Sequence, residues 1–391
     1  MKKTVIVSLM LVLVSSLVFS LDFTFSGEVK TGFYTEQTKD QSGTQSKNKI
    51  HNNDGDSGRE ARIRLNLNME TEYFGMRTRY TQFNFEAENN FLTEFIYAYA
   101  DLYDKQFRIC AGMLGESPWG AGGPDLWAEV DDQLGMRFEW KPNFVPGLNL
   151  GVVLNTFNAK GMQPNKPALK FTDILLDSVL GIAYENDFFA FRFAYRMDTP
   201  ADWAFQGDEG SAFVYRLEER ILSRWLPGFQ IFLNGQYYGI GAIISERQDW
   251  VNWVYIQYNH NSLSAYFYIR HYENMKIERI KSDDGEGNIE YFKFRESEGS
   301  TLRFKTGFLY KLFDDLLSIG TGLGMEIGIG NTKINPASFY NFWWVEPQVR
   351  FNFNSNAYVA LVYSFQDGYN KQIDVFKSTT NWLNIRLCYY F

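Results

Sequence analysis

The chain has 391 residues, 18% of them aromatic, a formal net charge of -8 and two cysteines. That acidity, about -10 once Lys2 and Lys3 are removed, argues against nucleic acid as a main partner. The length allows one to three soluble domains, yet no linker, repeat or compositional break divides the chain. The aromatic excess, with a negative mean hydropathy, suits alternating strands better than a buried core.

Lys2, Lys3, an apolar run from Val5 to Phe19 and the ending at Ser20 predict a secretory signal peptide cleaved after Ser20. The run is short for a membrane span, and no later run is long enough for a membrane helix. The expected product is an exported chain, residues 21–391, forming one domain.

From there the sequence alternates with period two, which gives each strand two unlike faces. Asp22–Tyr34 sets Phe23, Phe25, Val29 and Phe33 against Glu28 and Lys30, and a polar loop over 36–58 follows. Ala61–Met69 sets Ile63, Leu65 and Leu67 against Arg62, Arg64, Asn66 and Asn68. Gly75–Phe85 carries Arg77 and Arg79 on its polar face, and Phe91–Tyr103 carries Tyr97, Tyr99 and Asp101. A segment with Arg108 and Cys110 leads into a loop rich in glycine and acids, which holds Glu116, Asp125, Glu129, Asp131 and Asp132. Two more segments set Leu134, Met136, Phe138 and Trp140, then Leu148, Leu150, Val152 and Leu154, against Arg137, Glu139, Asn149 and Asn155.

Further strands are predicted over 176–185, 189–198, 212–222, 229–239, 250–258, 263–271, 300–311, 316–328, 343–354, 357–365 and 382–391. The total is eighteen, with sixteen as the neighbouring count. Short turns alternate with longer polar loops, the largest over 274–298, so one rim is short and the other long. Three segments fit poorly. Pro347 lies inside a strand and requires a bulge or a later start. Leu217–Leu226 also has a helical pattern, and Trp250–Tyr258 is apolar in both phases.

A sheet apolar on one face and polar on the other is what a barrel wall between lipid and water needs. The stretch AYADLYDKQFRICAGML, its acidic loop and the following MRFEWKPNFVPGLNLGVVLN resemble the corresponding part of Gram-negative outer-membrane porins. The likeness rests on Arg137, Phe138, Pro142, Gly147 and Gly151, although Phe138 and Pro142 stand one residue further apart than in the family. Met113 follows Gly112 where the family usually has Arg. The resemblance implies a third loop folded into the lumen and a homotrimer. The closing NWLNIRLCYYF puts Leu387, Tyr389 and Phe391 on one face, and resembles the signal read by the barrel-assembly machinery.

If the apolar face meets lipid, the other lines the lumen with Lys30, Arg62, Arg64, Arg77, Arg79, Arg108, Arg137, Arg192, Arg196, Arg270, Arg303, Lys305, Arg350 and Arg386. Such charges on the lipid side would cost about 2–4 kcal/mol each near the midplane, which fixes the phase. Opposed to the acidic loop, they would set a transverse field across a narrow pore. The same arginines can instead pair with wall carboxylates as braces, and the loop can instead lie outside as a lid. Tyr97, Tyr99, Trp119, Trp127, Tyr266, Tyr268 and Trp382 can serve as platforms for sugar rings, as in maltoporin-type channels, or simply fill space. Trp140, Trp225, Phe313 and Phe391 suit an interfacial girdle.

His51, His260 and His271 have no Ser/Asp partners at a recognisable spacing, and no metal-ligand or phosphate-binding motif occurs. The inward series Gly320, Gly322, Gly324 and Gly328 marks close packing against the wall. The expectation is a non-enzymatic outer-membrane β-barrel of 16–18 antiparallel strands, passing small hydrophilic solutes passively and needing no cofactor. A sugar-selective channel and a non-conducting adhesin or structural barrel are the alternatives. The expected partners are outer-membrane lipid and the assembly machinery.

Overall fold

The computed structural model describes residues 22–40, 43–49, 62–83, 92–115, 118–123, 126–128, 134–155, 178–199, 210–240, 247–281, 290–329, 340–370 and 377–391. Its early strands are β1 (Asp22–Asp40), β2 (Gly43–Lys49), β3 (Arg62–Glu70), β4 (Phe74–Phe83), β5 (Leu92–Leu102) and β6 (Phe107–Met113). Two short ones, β7 (Ala121–Gly123) and β8 (Leu126–Ala128), precede β9 (Leu134–Trp140), β10 (Leu148–Asn155), β11 (Val179–Glu185) and β12 (Phe189–Thr199). After β13 (Gly210–Glu219) comes one short helix, α1 (Ile221–Trp225). The rest are β14 (Phe229–Ile240), β15 (Arg247–His260), β16 (Leu263–Lys281), β17 (Glu290–Leu312), β18 (Leu317–Ile329), β19 (Tyr340–Asn354), β20 (Ala357–Asn370) and β21 (Lys377–Tyr390).

Each wall strand pairs antiparallel with the next wall strand, β1 with β3 and β6 with β9 included, and β1 pairs with β21, so the sheet closes. Closure removes the free edges that would otherwise leave backbone groups unpaired in lipid. Eighteen strands form the wall, because β7 and β8 make a separate two-stranded ribbon and β2 is an extra partner of β1. Asp22–Lys30 pairs with β3, whereas Tyr34–Asp40 pairs with β2, so β2 continues the line of β3 towards the long-loop rim. Both ends of the wall meet at the short-turn rim, where Gly27 and Phe391 exchange backbone hydrogen bonds of 2.9 and 3.1 Å.

The short turns fall where alternation stops. The segments Tyr103–Lys105 and Phe313–Asp315 turn alike, each with three successive residues at positive φ. Gly147 and Gly228, both at φ +85, end two other turns against the next strand's backbone. The 217–226 ambiguity resolves as strand to Glu219 and then the five-residue α1 in the turn.

Three readings need correction. The 36–58 loop contains the end of β1 and all of β2. The 274–298 loop contains the upper parts of β16 and β17, which are 19 and 23 residues long. About 9–11 residues cross a bilayer, so this hairpin stands well above it. Those segments lack a clean apolar face because they have no lipid to face. Pro347 needs neither a bulge nor a late start. β19 runs through it paired to β18, while the ladder to β20 skips Glu346 and Pro347 and resumes in the same register.

The outer face is apolar and exposed, with Phe23, Phe25, Leu180, Phe267, Ile319, Leu323, Leu361 and Ile385 among its residues. At the short-turn rim, Tyr103, Phe107, Trp140 and Phe144 form a chain of ring contacts 5.8–6.3 Å apart. Trp225 and Phe313, 81% and 73% exposed, extend this aromatic band. No helix among the described residues is long and apolar enough to cross a membrane, and the strands do so instead.

Candidate functional site: the inner wall and the third loop

The register puts all fourteen basic residues expected in the lumen on the inward phase. Lys30 faces Arg62, and Arg64, Asn66 and Asn68 face Thr81, Arg79 and Arg77. These side chains are braced. Glu28 receives Lys30 at 2.8 Å, Arg62 at 2.5 Å and Arg64 at 3.5 Å. Arg64 Nη2 donates to Glu94 Oε1 at 3.0 Å, and Arg79 Nη1 lies 3.7 Å from the other oxygen. Arg79 Nε donates to Asn66 at 2.8 Å, and its guanidinium sits 4.8 Å from the Phe95 ring.

Glu94 is the residue that alternation misplaces. Ile96, Ala98 and Ala100 point outward, and strict alternation would send Glu94 after them into lipid. The ladder shifts at this point, since Arg79 pairs with Phe95 and Tyr80 with Thr93. Glu94 is therefore the extra residue of a β-bulge, which turns its carboxylate inward to two arginines.

A second cluster lies at the root of the third loop. Arg108 donates twice to Asp101, at 2.7 Å each, and covers the Tyr99 ring at 4.3 Å. Arg137 is only 3% exposed at its side chain. It donates to Glu139 at 3.0 Å and to the Gly115 carbonyl at 3.3 Å. It thus tethers the loop rather than facing open water. Further round, Arg303 and Arg270 share Glu326, and Arg350 donates to Asn352. Arg386 is half-buried on the inner face of β21, between Ala360 and Gly32.

The loop follows the inner wall. Trp119 is fully buried, and a Cβ added at Gly151 or Gly181 would meet its indole at 2.4 or 1.9 Å. Gly151 and Gly181 face each other across β10 and β11 on the inward phase. Trp119 joins Phe95, Tyr97, Tyr99, Leu114, Val153, Val179, Ala194 and Val214 in the largest apolar cluster of the inner face. Beyond it, β7 pairs with β8 and packs against β13 and β14. In barrel order β14 stands nine strands from β3, so the ribbon lies on the side opposite the Arg62–Arg79 group. The acidic residues Glu116, Asp125, Glu129, Asp131 and Asp132 lie outside the described residues, as do residues 1–20 and His51.

Of the aromatics, Tyr97 and Tyr99 are covered, Tyr268 and Trp382 are buried in the wall, and Tyr266 is half-exposed to the lumen. The side chain of Trp127 lies outside the described residues. Phe232, Trp253, Tyr255 and Trp344 also point inward. Sequence reasoning missed them, although continuing the phase of each strand would have found them. Gly320, Gly322 and Gly324 lie on the inner face of β18, with Trp344 covering Gly324. Leu387, Tyr389 and Phe391 point outward near the seam, where Phe391 contacts Phe25 and Tyr389. Cys110 and Cys388 are buried, free and on separate strands. Among the described residues no group of three or more His, Cys, Asp or Glu could hold a metal.

No family model and no curated protein matches the chain. Solved structures do match over 95% of it. One is a loop-deletion mutant of OmpT, an outer membrane protein of Vibrio cholerae, with a TM-score of 0.50, 13% identity and 100% of its own length covered. Another is Pseudomonas aeruginosa OpdQ, with a TM-score of 0.51, 11% identity and 99% covered. At these identities the likeness is one of fold, and the fold is that of a porin-like β-barrel.

Proposed function

We propose that the chain is an outer-membrane channel through which small hydrophilic solutes and ions diffuse passively. The observation that carries this reading is the route of the third loop. Trp119 is buried on the inner wall, and the β7–β8 ribbon lies across from Arg62, Arg64, Arg77 and Arg79. A loop in that place narrows a wide barrel, and its acids then face a basic wall across the gap. The field so formed favours zwitterionic and charged small solutes. Export by residues 1–20, insertion by the assembly machinery through Leu387, Tyr389 and Phe391, and a homotrimer belong to the same reading. No catalytic group is part of it.

Much of the basic wall is already neutralised locally, by Glu28, Glu94, Asp101, Glu139 and Glu326. The net field is therefore weaker than a count of arginines suggests. Weak ion preference, rather than strong anion selection, is the expected behaviour.

The test is single-channel conductance of refolded Leu21–Phe391 in a planar bilayer, alongside a variant with residues 114–132 replaced by a Gly/Ser turn. Stable steps that grow in the variant support the channel and its constriction. Unchanged steps place the loop outside the conduction path. A folded barrel that never conducts overturns the reading and leaves an adhesin or structural barrel.

A further inference from the structure

Arg192 on β12 and Arg216 on β13 are paired directly across the inner wall. Side chains so placed start about 5 Å apart, and like charges in that position destabilise a sheet. Arg62, Arg64, Arg108 and Arg137 each hold a carboxylate. Arg192 has no hydrogen bond or ion pair, and its neighbour on the other side is Ala183, which offers only a methyl group. Glu218 does not correct the imbalance. It lies 3.5 Å from Arg216 and 3.8 Å from Arg220, and Arg220 also reaches Glu185 at 3.1 Å.

Both arginines meet the lumen. Arg192 is half-buried, and Arg216 is 22% exposed at its side chain. The Phe232 ring, 4.2 Å from the Arg216 guanidinium, fixes the plane of that group. Ala183 stands two residues from Gly181, where the Trp119 indole is seated, so the pair lies one inward step towards the short-turn rim from the loop's socket. The β7 part of the loop packs against β13 itself. A solute that has passed the loop therefore comes next to a pair of guanidiniums.

We propose that Arg192 and Arg216 form a binding subsite for a phosphate group, free or carried by a small solute. The inference rests on the channel reading, which supplies the solute's route to the pair. A guanidinium presents a planar fork of N–H donors that matches two oxygens of an anion at once. A carboxylate has only two oxygens, and one fork engages both. A phosphate group has at least three acceptor oxygens and greater charge, so it can bridge two forks on neighbouring strands. It also turns the repulsion between the arginines into attraction, because each guanidinium then faces the anion. A wall that needed only bracing would place a carboxylate between them, as Glu28 stands among Lys30, Arg62 and Arg64. A cationic solute finds no partner at Arg192, and a neutral one gains nothing from the charge.

The experiment uses the protein expressed from the full chain and purified in a phosphorus-free detergent, with inorganic phosphate as the probe and acetate as the planar control. In planar bilayers phosphate should reduce the chloride current reversibly and saturably, and acetate should not. Arg192→Gln should raise the half-blocking concentration about tenfold, the equivalent of one lost charge-assisted contact. Arg192→Lys, which keeps the charge and loses the fork, should raise it about threefold. Arg192→Gln should also unfold at an equal or higher urea concentration, since it relieves two facing like charges. Glycerol phosphate separates the two sources, because it blocks as phosphate does if the group is accepted on a solute and fails to block if only the free ion is taken. A second readout needs no current. The phosphorus NMR line of inorganic phosphate should broaden with the parent protein and stay sharp with Arg192→Gln. Phosphate acting no better than acetate, block and line width indifferent to Arg192→Gln, or a less stable Arg192→Gln would each overturn the subsite. A protein that does not conduct would refute the channel, and the line width would then decide the subsite alone.

Discussion

The indole of Trp119 lies on the bare backbone of Gly181, so near that a Cβ there would come within 1.9 Å of it. Gly151, paired with Gly181, completes the socket from the adjacent strand. A loop side chain seated in this way holds the start of the third loop to the wall. Filling the socket with Gly181→Val should expel the indole without disturbing the outer face. Trp→Ala changes in packed sites cost about 3–5 kcal/mol, so Trp119→Ala should release the loop comparably. Both variants should become sensitive to protease between residues 114 and 132, with larger or noisier single-channel steps. Protection and conductance equal to the parent's would show that Trp119 does not hold the loop.

The bulge at Glu94 makes a different prediction. Its carboxylate serves Arg64 at 3.0 Å and Arg79 at 3.7 Å, and Arg64 retains Glu28 at 3.5 Å when it is lost. These groups are partly solvated, so Glu94→Gln should cost only about 1 kcal/mol. It should nevertheless add one uncompensated positive charge to the wall facing the third loop. Reversal potentials in a salt gradient should move towards anion preference. No movement would mean that this wall does not set the permeation field.

Tyr215 and Asn252 meet on the lipid side. Tyr215 lies across Gly235, and its hydroxyl donates to Asn252 Oδ1 at 2.8 Å. Tyr215→Phe should destabilise the barrel by about 1 kcal/mol, because an amide facing lipid loses a partner. Asn252→Leu in the same background should recover much of that loss. Urea unfolding midpoints in lipid vesicles for the two single variants and the double variant would measure the coupling. Additive effects would deny it.

Most of this architecture was legible because one rule, alternation between lipid and water, governs nearly every strand. The phase of Arg62, Arg64, Arg77 and Arg79 follows from it. Glu94 was not legible, since a bulge is a one-residue exception that leaves no compositional mark. The upper parts of β16 and β17 were read as loop because the rule lapses where the sheet leaves the membrane. The Trp119 socket was invisible for another reason. Gly151 and Gly181 are ordinary glycines until the fold brings a distant indole onto them.

The turn at Tyr103–Lys105 holds three non-glycine residues at φ of 50, 53 and 66. Left-handed backbone costs about 1–2 kcal/mol for each such residue, and glycine escapes most of that cost. Lys105→Gly should therefore raise the unfolding free energy by about 1 kcal/mol, whereas Lys105→Ala, which keeps a Cβ, should not. A gain from both would point to charge rather than backbone conformation.

Phe391 closes the barrel and also carries the candidate assembly signal, and the two roles can be separated. Its backbone is bonded to Gly27 in both directions, while its ring packs on Phe25 at 5.5 Å and remains exposed towards lipid. Phe391→Ala keeps the backbone bonds and loses only part of a ring's burial, about 1 kcal/mol. Refolding into vesicles in vitro should then be nearly unchanged, whereas the amount inserted in cells should fall several-fold if the ring is read by the assembly machinery. Gly27→Val makes a useful contrast, since its Cβ would stand 2.3 Å from the Arg64 carbonyl and 2.7 Å from the Phe391 ring. It should impair closure in vesicles and in cells alike. Equal losses from Phe391→Ala in both settings would make the ring a structural element of the seam and remove it as a signal.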